Sequence, residues 1–169
     1  MKIELKKIKF SEAMSEETNA FTADLYINGK KRGYCNNTGQ GGCTDYHSFV
    51  SDDNKVIAEA EAHYKSLPKV RSEEYNFEYQ PSLESTIDDL LSDWFKAKHL
   101  KKLEKLMVNH ILIGESLESR HISKIKYSID LAKARVDVLQ SIINNTKQKH
   151  LKDNDVILNT NFKGLDVIL

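Results

Sequence analysis

A stretch of alternating residues that ends in a turn signal constrains the fold of this chain most strongly. From Phe21 to Ile27, apolar side chains alternate with polar ones, which is the spacing of a β-strand with one buried face. Asn28-Gly29 follows at once, and this pair favours a two-residue type I′ turn because both turn positions need positive φ. The stretch therefore predicts a β-hairpin whose second strand covers about residues 30–36.

A two-residue turn also fixes which residues of the two strands face each other. Leu25 should lie opposite Arg32, and Ala23 should lie opposite Tyr34. Arg32 then occupies a position where an apolar side chain is expected. Its guanidinium either reaches solvent at the edge of the sheet or binds a partner molecule. We count Arg32 among the predicted partner-binding residues.

The rest of the chain predicts an α+β fold, in which several helices pack on a small antiparallel sheet. Residues 2–10 predict a strand with a β-bulge at Lys6-Lys7, where the apolar side chains change parity. Residues 11–19 predict a loop, and residues 53–67 predict a helix capped by Ser51, Asp52 and Asp53. Residues 69–81 predict a short strand or an ordered arm, with Tyr75, Phe77 and Tyr79 on one side. Further strands are predicted at 121–127, 156–158 and 165–169, and the last of these is alternatively an apolar tail.

Two predicted helices carry apolar residues on two sides. In the helix that begins at Ser82, the first apolar stripe, continued at about 100° per residue, should pass through Lys98. A second stripe, roughly opposite, begins at Leu100 instead. We predict a break near residues 97–99, and the alternative is a continuous helix that buries different faces at its two ends. The helix predicted over residues 129–148 either lies between two layers or contacts another molecule.

The charge of the chain is unevenly distributed although its sum is zero. Residues 1–93 hold 11 Lys/Arg and 17 Asp/Glu, whereas residues 94–169 hold 14 and 8. We predict a single domain over residues 1–169, with an acidic α/β half (1–81) and a basic, mainly helical half (82–169). The two halves either attract each other within one fold, or the basic half faces an anionic partner.

Five lysines lie within ten residues of the helix that begins at Ser82, and Glu104 is the one acid among them. Such a run suits phosphate groups. Acidic residues precede it in the same helix, so the arrangement also complements the helix dipole, which is the alternative explanation. We predict partner binding through Lys98, Lys101, Lys102 and Lys105, in addition to Arg32.

No recognisable catalytic motif occurs in the sequence. Cys35, Cys43, His47 and His63 are zinc-ligand types, but their spacing matches no zinc knuckle, so we expect no metal. Cys43 with a histidine could imitate a thiol–imidazole pair, which is the basis of an enzyme alternative. The glycines of residues 39–42 lack a nucleotide-binding fingerprint and predict a mobile connection. We therefore expect no cofactor and no enzymatic activity.

The sequence also bears on the cellular compartment. No apolar run approaches the roughly 20 residues of a membrane span. The first seven residues alternate between charged and apolar types and lack the apolar stretch of a signal peptide. We expect a cytoplasmic protein without membrane contact, in which the two cysteines are free thiols.

Three stretches carry a resemblance to known proteins. Residues 21–34, 39–46 and 156–161 resemble small uncharacterised accessory proteins of bacterial phages and mobile elements. Small proteins of such elements include inhibitors of bacterial defence, among them anti-CRISPR proteins. The resemblance implies a role of this class and transfers no catalytic residue.

Together these observations predict a non-enzymatic protein inhibitor of a bacterial defence nuclease, such as an RNA-guided CRISPR effector. The expected partner is a nuclease or a nuclease–RNA complex, with nucleic-acid contact through the basic half. The alternatives are a small nucleic-acid-binding accessory protein and a Cys/His-dependent enzyme. Measurements of binding and activity are needed to separate these classes.

Overall fold

The predicted α+β class is confirmed in the computed structural model, which describes residues 1–72, 77–152 and 154–169. The chain divides into two compact units, Met1–Trp94 and Phe95–Leu169. Because Trp94 is uncharged, the units carry the same charges as the two stretches counted above, a balance of −6 in the first and +6 in the second.

The elements of the first unit before its second helix are β1 (Ile3–Phe10), β2 (Phe21–Ile27), β3 (Lys30–Asn37), β4 (Asp45–Ser48), α1 (Ser51–Lys65), β5 (Val70–Ser72) and β6 (Phe77–Tyr79), with a 3-10 turn at Glu12–Met14 inside the predicted loop. The first four strands form an antiparallel sheet with the order β1-β2-β3-β4, and α1 contacts β2, β3 and β4. The strands β5 and β6 form a separate two-stranded antiparallel sheet within the predicted arm, and the predicted Tyr75 lies outside the described residues.

The hairpin and the bulge in β1 are confirmed. Asn28 and Gly29 both have positive φ, 50° and 78°, as a type I′ turn requires. In β1, the pairing with β2 shifts between Lys6 and Lys9, and Lys7 has a φ of 53°. This extra residue lets both ends of β1 direct apolar side chains toward the core.

The predicted register of the hairpin is wrong beyond the turn. Leu25 pairs with Gly33 rather than Arg32, and Ala23 pairs with Cys35 rather than Tyr34. The ladder shifts by one residue after Lys31, so that Arg32 is the extra residue of a bulge. A β-carbon at Gly33 would lie 2.0 Å from the His47 carbonyl oxygen, so this close strand approach needs a glycine.

Helix α1 starts two residues before its predicted start, and its predicted cap is wrong. The N-cap position is occupied by Val50, which makes no side-chain cap hydrogen bond. Asp53 instead turns inward, is 8% exposed, and accepts a hydrogen bond from the Arg32 guanidinium at 2.8 Å. Asp53 does not cap α1 because its carboxylate binds the guanidinium of Arg32 in β3 instead.

The glycine loop after β3 is held by hydrogen bonds at both ends. The Asn37 side chain accepts from the Gly39 amide and donates to the Gly42 carbonyl, at 2.8 Å each. The Gly39 carbonyl accepts hydrogen bonds from the amides of residues 16, 17 and 18. The Gly39 and Gly41 amides are therefore occupied within the chain and are not free to bind a phosphate.

Replacing Gly39 by alanine should destabilise the first unit by about 2–4 kcal/mol. Gly39 has a φ of 90°, and its added β-carbon would lie 2.1 Å from the Met14 carbonyl oxygen. Gly29→Ala is the matched control, since Gly29 also has positive φ but has nothing within 4 Å of the added carbon. Urea unfolding should show a loss of only about 1 kcal/mol for Gly29→Ala, and equal losses for the two variants would contradict the steric argument.

Helix α2 (Leu83–Met107) is continuous, so the predicted break near residues 97–99 is wrong and the alternative holds. Leu83, Ile87 and Leu91 are buried along its first half. Leu103 and Met107 are buried along its second half, on roughly the opposite side at about 100° per residue. The two stripes were correctly identified, but the helix needs no break to bury both of them.

The elements after α2 are β7 (His110–Gly114), β8 (Ser123–Lys126), α3 (Val136–His150) and β9 (Val156–Ile157), with 3-10 turns at Leu131–Lys133 and Thr160–Phe162. The three strands form an antiparallel sheet with the order β8-β7-β9. The central strand β7 is nearly all buried. The larger buried cluster comprises Ile111, Ile113, Leu131, Leu139, Ile143 and Phe162.

Helix α3 differs from its prediction at its start. It begins at Val136 rather than near residue 129, because Asp130 caps the 3-10 turn at Leu131–Lys133 before it. One face, with Leu139 and Ile143, is buried, whereas Val138 on the other side is 40% exposed. The prediction of a helix between two layers is therefore wrong.

Residues 165–169 form no strand and are a partly exposed apolar tail.

Candidate functional site

The four predicted lysines of α2 form one continuous surface, which we call the lysine sector (Lys98, Lys101, Lys102 and Lys105). All four are exposed. At about 100° per residue they fall within one sector about 100° wide, and that sector is centred roughly opposite the buried Leu103. The four lysines share one face because α2 is continuous, whereas the predicted break near residues 97–99 would have separated Lys98 from the other three.

The lysine sector contains no acidic side chain of this part of α2. Glu104 lies outside it, about 60° from the nearest lysine, at about 100° per residue. From the first to the last lysine, the sector extends about 10 Å along the helix axis. Four ammonium groups so placed can meet several anionic groups at once, either phosphates or carboxylates.

The acidic start of α2 is used inside the first unit. Glu84 accepts a hydrogen bond from the Thr44 amide at 3.1 Å, and Asp88 accepts one from the Thr44 hydroxyl at 2.6 Å. Burial raises the pKa of Asp88, and neighbouring carboxylates add to this effect. Glu84 and Asp88 thus bind the residue that precedes β4. These hydrogen bonds explain the presence of the two acidic residues without the helix dipole.

A cavity lies on another side of α2 within the second unit. It has a volume of about 510 Å³ and is lined by the apolar Phe95, Leu100 and Leu117 together with the polar or charged Lys96, His99, Glu118, Ser119 and Arg120. Lys96 and His99 belong to the predicted basic run, but they line this cavity and do not belong to the lysine sector. The basic run therefore serves two different faces of the helix.

Arg32, the fifth predicted binding residue, lies in the first unit and has an intramolecular partner. Its guanidinium is 2.8 Å from the Asp53 carboxylate, and the Arg32 side chain is 27% exposed. This ion pair supplies a structural reason for an arginine at the bulge. The interpretation of Arg32 as a partner-binding residue stays a prediction.

The structure does not assemble the sequence-derived zinc candidates. Cys35 is buried in β3 and Cys43 is exposed, and both are free thiols. His47 lies beside the Tyr34 ring, while His63 lies 3.4 Å from the amino terminus. Over residues 1–72, 77–152 and 154–169, no three His, Cys, Asp or Glu side chains are grouped so that they could hold a metal ion.

The thiol–imidazole alternative meets an electrostatic obstacle. The Cys43 thiol is hydrogen-bonded to Glu84, and this bond, with the Glu84 charge, raises the pKa of Cys43. Burial raises the pKa of Cys35 to about 12. A nucleophilic cysteine needs a lowered pKa, because the thiolate is the reactive form. Neither thiol is activated in this way.

Modification by a disulfide reagent such as DTNB at pH 8 should therefore be slow and limited to one thiol. Cys43 is accessible but mostly protonated, whereas Cys35 should react only after unfolding. Glu84→Gln removes the acceptor charge and should accelerate the reaction of Cys43, by about threefold for each unit of pKa that it restores, because the roughly tenfold gain in thiolate is partly offset by the lower nucleophilicity of a less basic thiolate. An unchanged rate in Glu84→Gln would show that Glu84 does not control this thiol.

An exposed aromatic group on the first unit was missed by sequence reasoning. Tyr34 and Phe49 are 41% and 50% exposed, with ring centroids 5.9 Å apart. The His47 ring lies 5.2 Å from that of Tyr34. Tyr34 and His47 meet because β3 pairs with β4, a register that alternation within a single strand does not reveal.

The comparisons with known proteins add no assignment. No protein-family model, curated protein or solved structure matches the chain. The resemblance to accessory proteins of phages and mobile elements therefore stays a prediction. Among the described residues, no helix has both the length and the apolar character needed to cross a membrane.

Proposed function

We propose that this chain is a non-enzymatic inhibitor that binds a bacterial defence nuclease and contacts it through the lysine sector. The observation that carries the proposal is the unbroken row of four exposed lysines opposite Leu103 and Met107, the buried residues of the second half of α2. Exposed lysines stabilise a fold little, so a uniform cationic face of this kind suits binding better than stability.

Two further observations support a binder over a catalyst. The second unit carries a balance of +6, which favours association with an anionic surface. The pKa of each cysteine is raised rather than lowered, which disfavours thiol catalysis. The choice of a nuclease, such as an RNA-guided CRISPR effector or its RNA complex, depends on the resemblance of residues 21–34, 39–46 and 156–161 to accessory proteins of mobile elements.

The test is inhibition of cleavage by a purified target. The immobilised chain is used to capture partners from a bacterial lysate, half of which is first treated with nuclease, and the captured nuclease is then purified. Its DNA cleavage should fall as the chain is titrated and reach a plateau near stoichiometric addition. Full cleavage at saturating chain concentration would refute inhibition.

A nucleic-acid-binding accessory protein is the second candidate, because the lysine sector also suits phosphates. Direct binding to naked duplex through four lysines should show a steep salt dependence, with a log–log slope of about −3.6. An inhibitor that recognises carboxylates of a protein should bind naked duplex weakly and retain its partner after nuclease treatment. The salt slope and the nuclease-treated capture therefore separate the two candidates.

A further inference from the structure

One face of the four-stranded sheet presents exposed rings and lysines beside one another. The pairings Lys6 with Asp24, Asp24 with Tyr34, and Tyr34 with His47 place these four residues in one row across the strands. Cross-strand neighbours point to the same side of a sheet. The apolar side chains of β2 point to the other side, where they are buried.

The rings of this row, and the Phe49 ring beside it, are accessible on the surface. Tyr34, His47 and Phe49 are all exposed, and Tyr34 lies within 6 Å of each of the other two, centroid to centroid. Adjacent exposed rings offer flat apolar surfaces on which planar groups can stack. Burial in the core does not account for these rings, since the core of this unit lies on the opposite side of β2.

Lysines surround the rings at short distances. The Lys31 ammonium lies 4.6 Å from the centre of the Phe49 ring, and the Lys6 ammonium lies 4.1 Å from the centre of the Tyr26 ring. Lys31 and Lys7 both reach the Asp24 carboxylate, at 2.8 and 3.8 Å. Lys7 and Lys31 thus share one aspartate, and Lys6 pairs with the same aspartate across the strands, so these four side chains together carry a charge of +2.

We infer that this face binds single-stranded nucleic acid, with bases stacked on Tyr34 and Phe49 and the phosphates near Lys6, Lys7 and Lys31. A stacking ring with a nearby cation serves a base and its phosphate together. A protein interface fits less well, because lysines are depleted from the cores of such interfaces. A duplex fits less well too, because its bases are already stacked and their faces are covered.

This inference is independent of the proposed function. It depends on strands of the first unit, whereas the inhibitor proposal depends on the lysine sector of α2 in the second unit. A variant of either surface leaves the residues of the other unchanged. The failure of one proposal therefore does not entail the failure of the other.

The test measures fluorescence anisotropy of a labelled ten-nucleotide single strand, oligouridine or oligothymidine, together with a duplex of equal length. Tyr34→Ala and Phe49→Ala should each weaken single-strand binding by about tenfold and leave the salt slope unchanged. Tyr34→Phe retains the ring and should retain binding. Phe77→Ala is the matched control, since Phe77 is 52% exposed in β6 and does not belong to this group of rings.

The lysine contribution is separable from stacking. Lys6→Ala and Lys7→Ala should each reduce the magnitude of the salt slope by about 0.7, whereas Lys55→Ala on α1 should not. Strand binding should also survive Lys→Glu changes across the lysine sector. Single-strand affinity that is unchanged in the Tyr34→Ala, Phe49→Ala double variant, with folding verified by circular dichroism, would overturn the inference, and so would the absence of strand binding at low salt.

Discussion

Exchanging all four residues of the lysine sector for glutamate is expected to weaken partner binding more than a hundredfold. Each exchange alters the charge by two, so the balance of the second unit falls from +6 to −2. An attractive surface becomes repulsive at the contact itself, where like charges brought together cost several kcal/mol. The effect on folding should be small, about 0.5 kcal/mol or less for each exposed position.

A matched variant distinguishes the effect of where the exchanged lysines lie from the effect of the net charge of the second unit. Lys124, Lys126, Lys149 and Lys163 are also exposed in the second unit, so their exchange for glutamate produces the same net charge. Titration calorimetry should show strong loss of binding only for the lysine-sector variant, while thermal unfolding should give similar midpoints for the two. Equal affinities would remove the lysine sector from the interface. A selective loss of stability with intact binding would indicate that its lysines only balance other charges of the fold.

The sequence predicted the hairpin, and the shared face of Lys101, Lys102 and Lys105, because both follow from local periodicity. Alternation from Phe21 to Ile27 and the Asn28-Gly29 turn depend on neighbouring residues alone. The shared face of these three lysines likewise needs only the helical repeat, whereas Lys98 joins them only because α2 is continuous. Features of this kind are readable before the tertiary structure is known.

The errors arose where distant contacts decide the conformation. The bulge at Arg32 depends on Asp53 and on the close approach of Gly33 to the His47 carbonyl. The continuity of α2 depends on which elements pack against each of its stripes, and the two stripes alone are compatible with a broken or an intact helix. The aromatic row across β3 and β4 likewise depends on strand register, which a sequence pattern does not fix.

The start of α3 was misplaced for a more local reason. The predicted start near residue 129 depended on the apolar spacing that begins at Ile129. In the structure, the Asp130 side chain accepts a hydrogen bond from the Ala132 amide at 3.2 Å and caps a 3-10 turn. Apolar spacing alone does not distinguish such a turn followed by a helix from one longer helix.

Replacing Asn159 by alanine is expected to destabilise the protein by about 2–4 kcal/mol. The Asn159 side chain is almost fully buried, accepts a hydrogen bond from the Leu112 amide at 2.8 Å and donates one to the His110 carbonyl at 2.9 Å. It thereby continues the pairing with β7 beyond the end of β9. Alanine would leave a buried donor and a buried acceptor unpaired, which is the costly case.

Urea unfolding followed by far-ultraviolet circular dichroism measures this loss of stability. Two further variants, with smaller expected losses, serve for comparison. Asn161 donates a hydrogen bond to the Met107 carbonyl and accepts one from the Asn159 side chain, so Asn161→Ala should cost about 1–2 kcal/mol. Asn145→Ala, at an exposed position of α3, should cost nothing measurable or stabilise slightly, since alanine favours helices. A cost below about 0.5 kcal/mol for Asn159→Ala would show that water readily replaces its bonds. Because Asn159 and Asn161 belong to the ending that resembles proteins of mobile elements, the expected result would assign that ending to the fold, and partner binding by the folded variant should be unchanged.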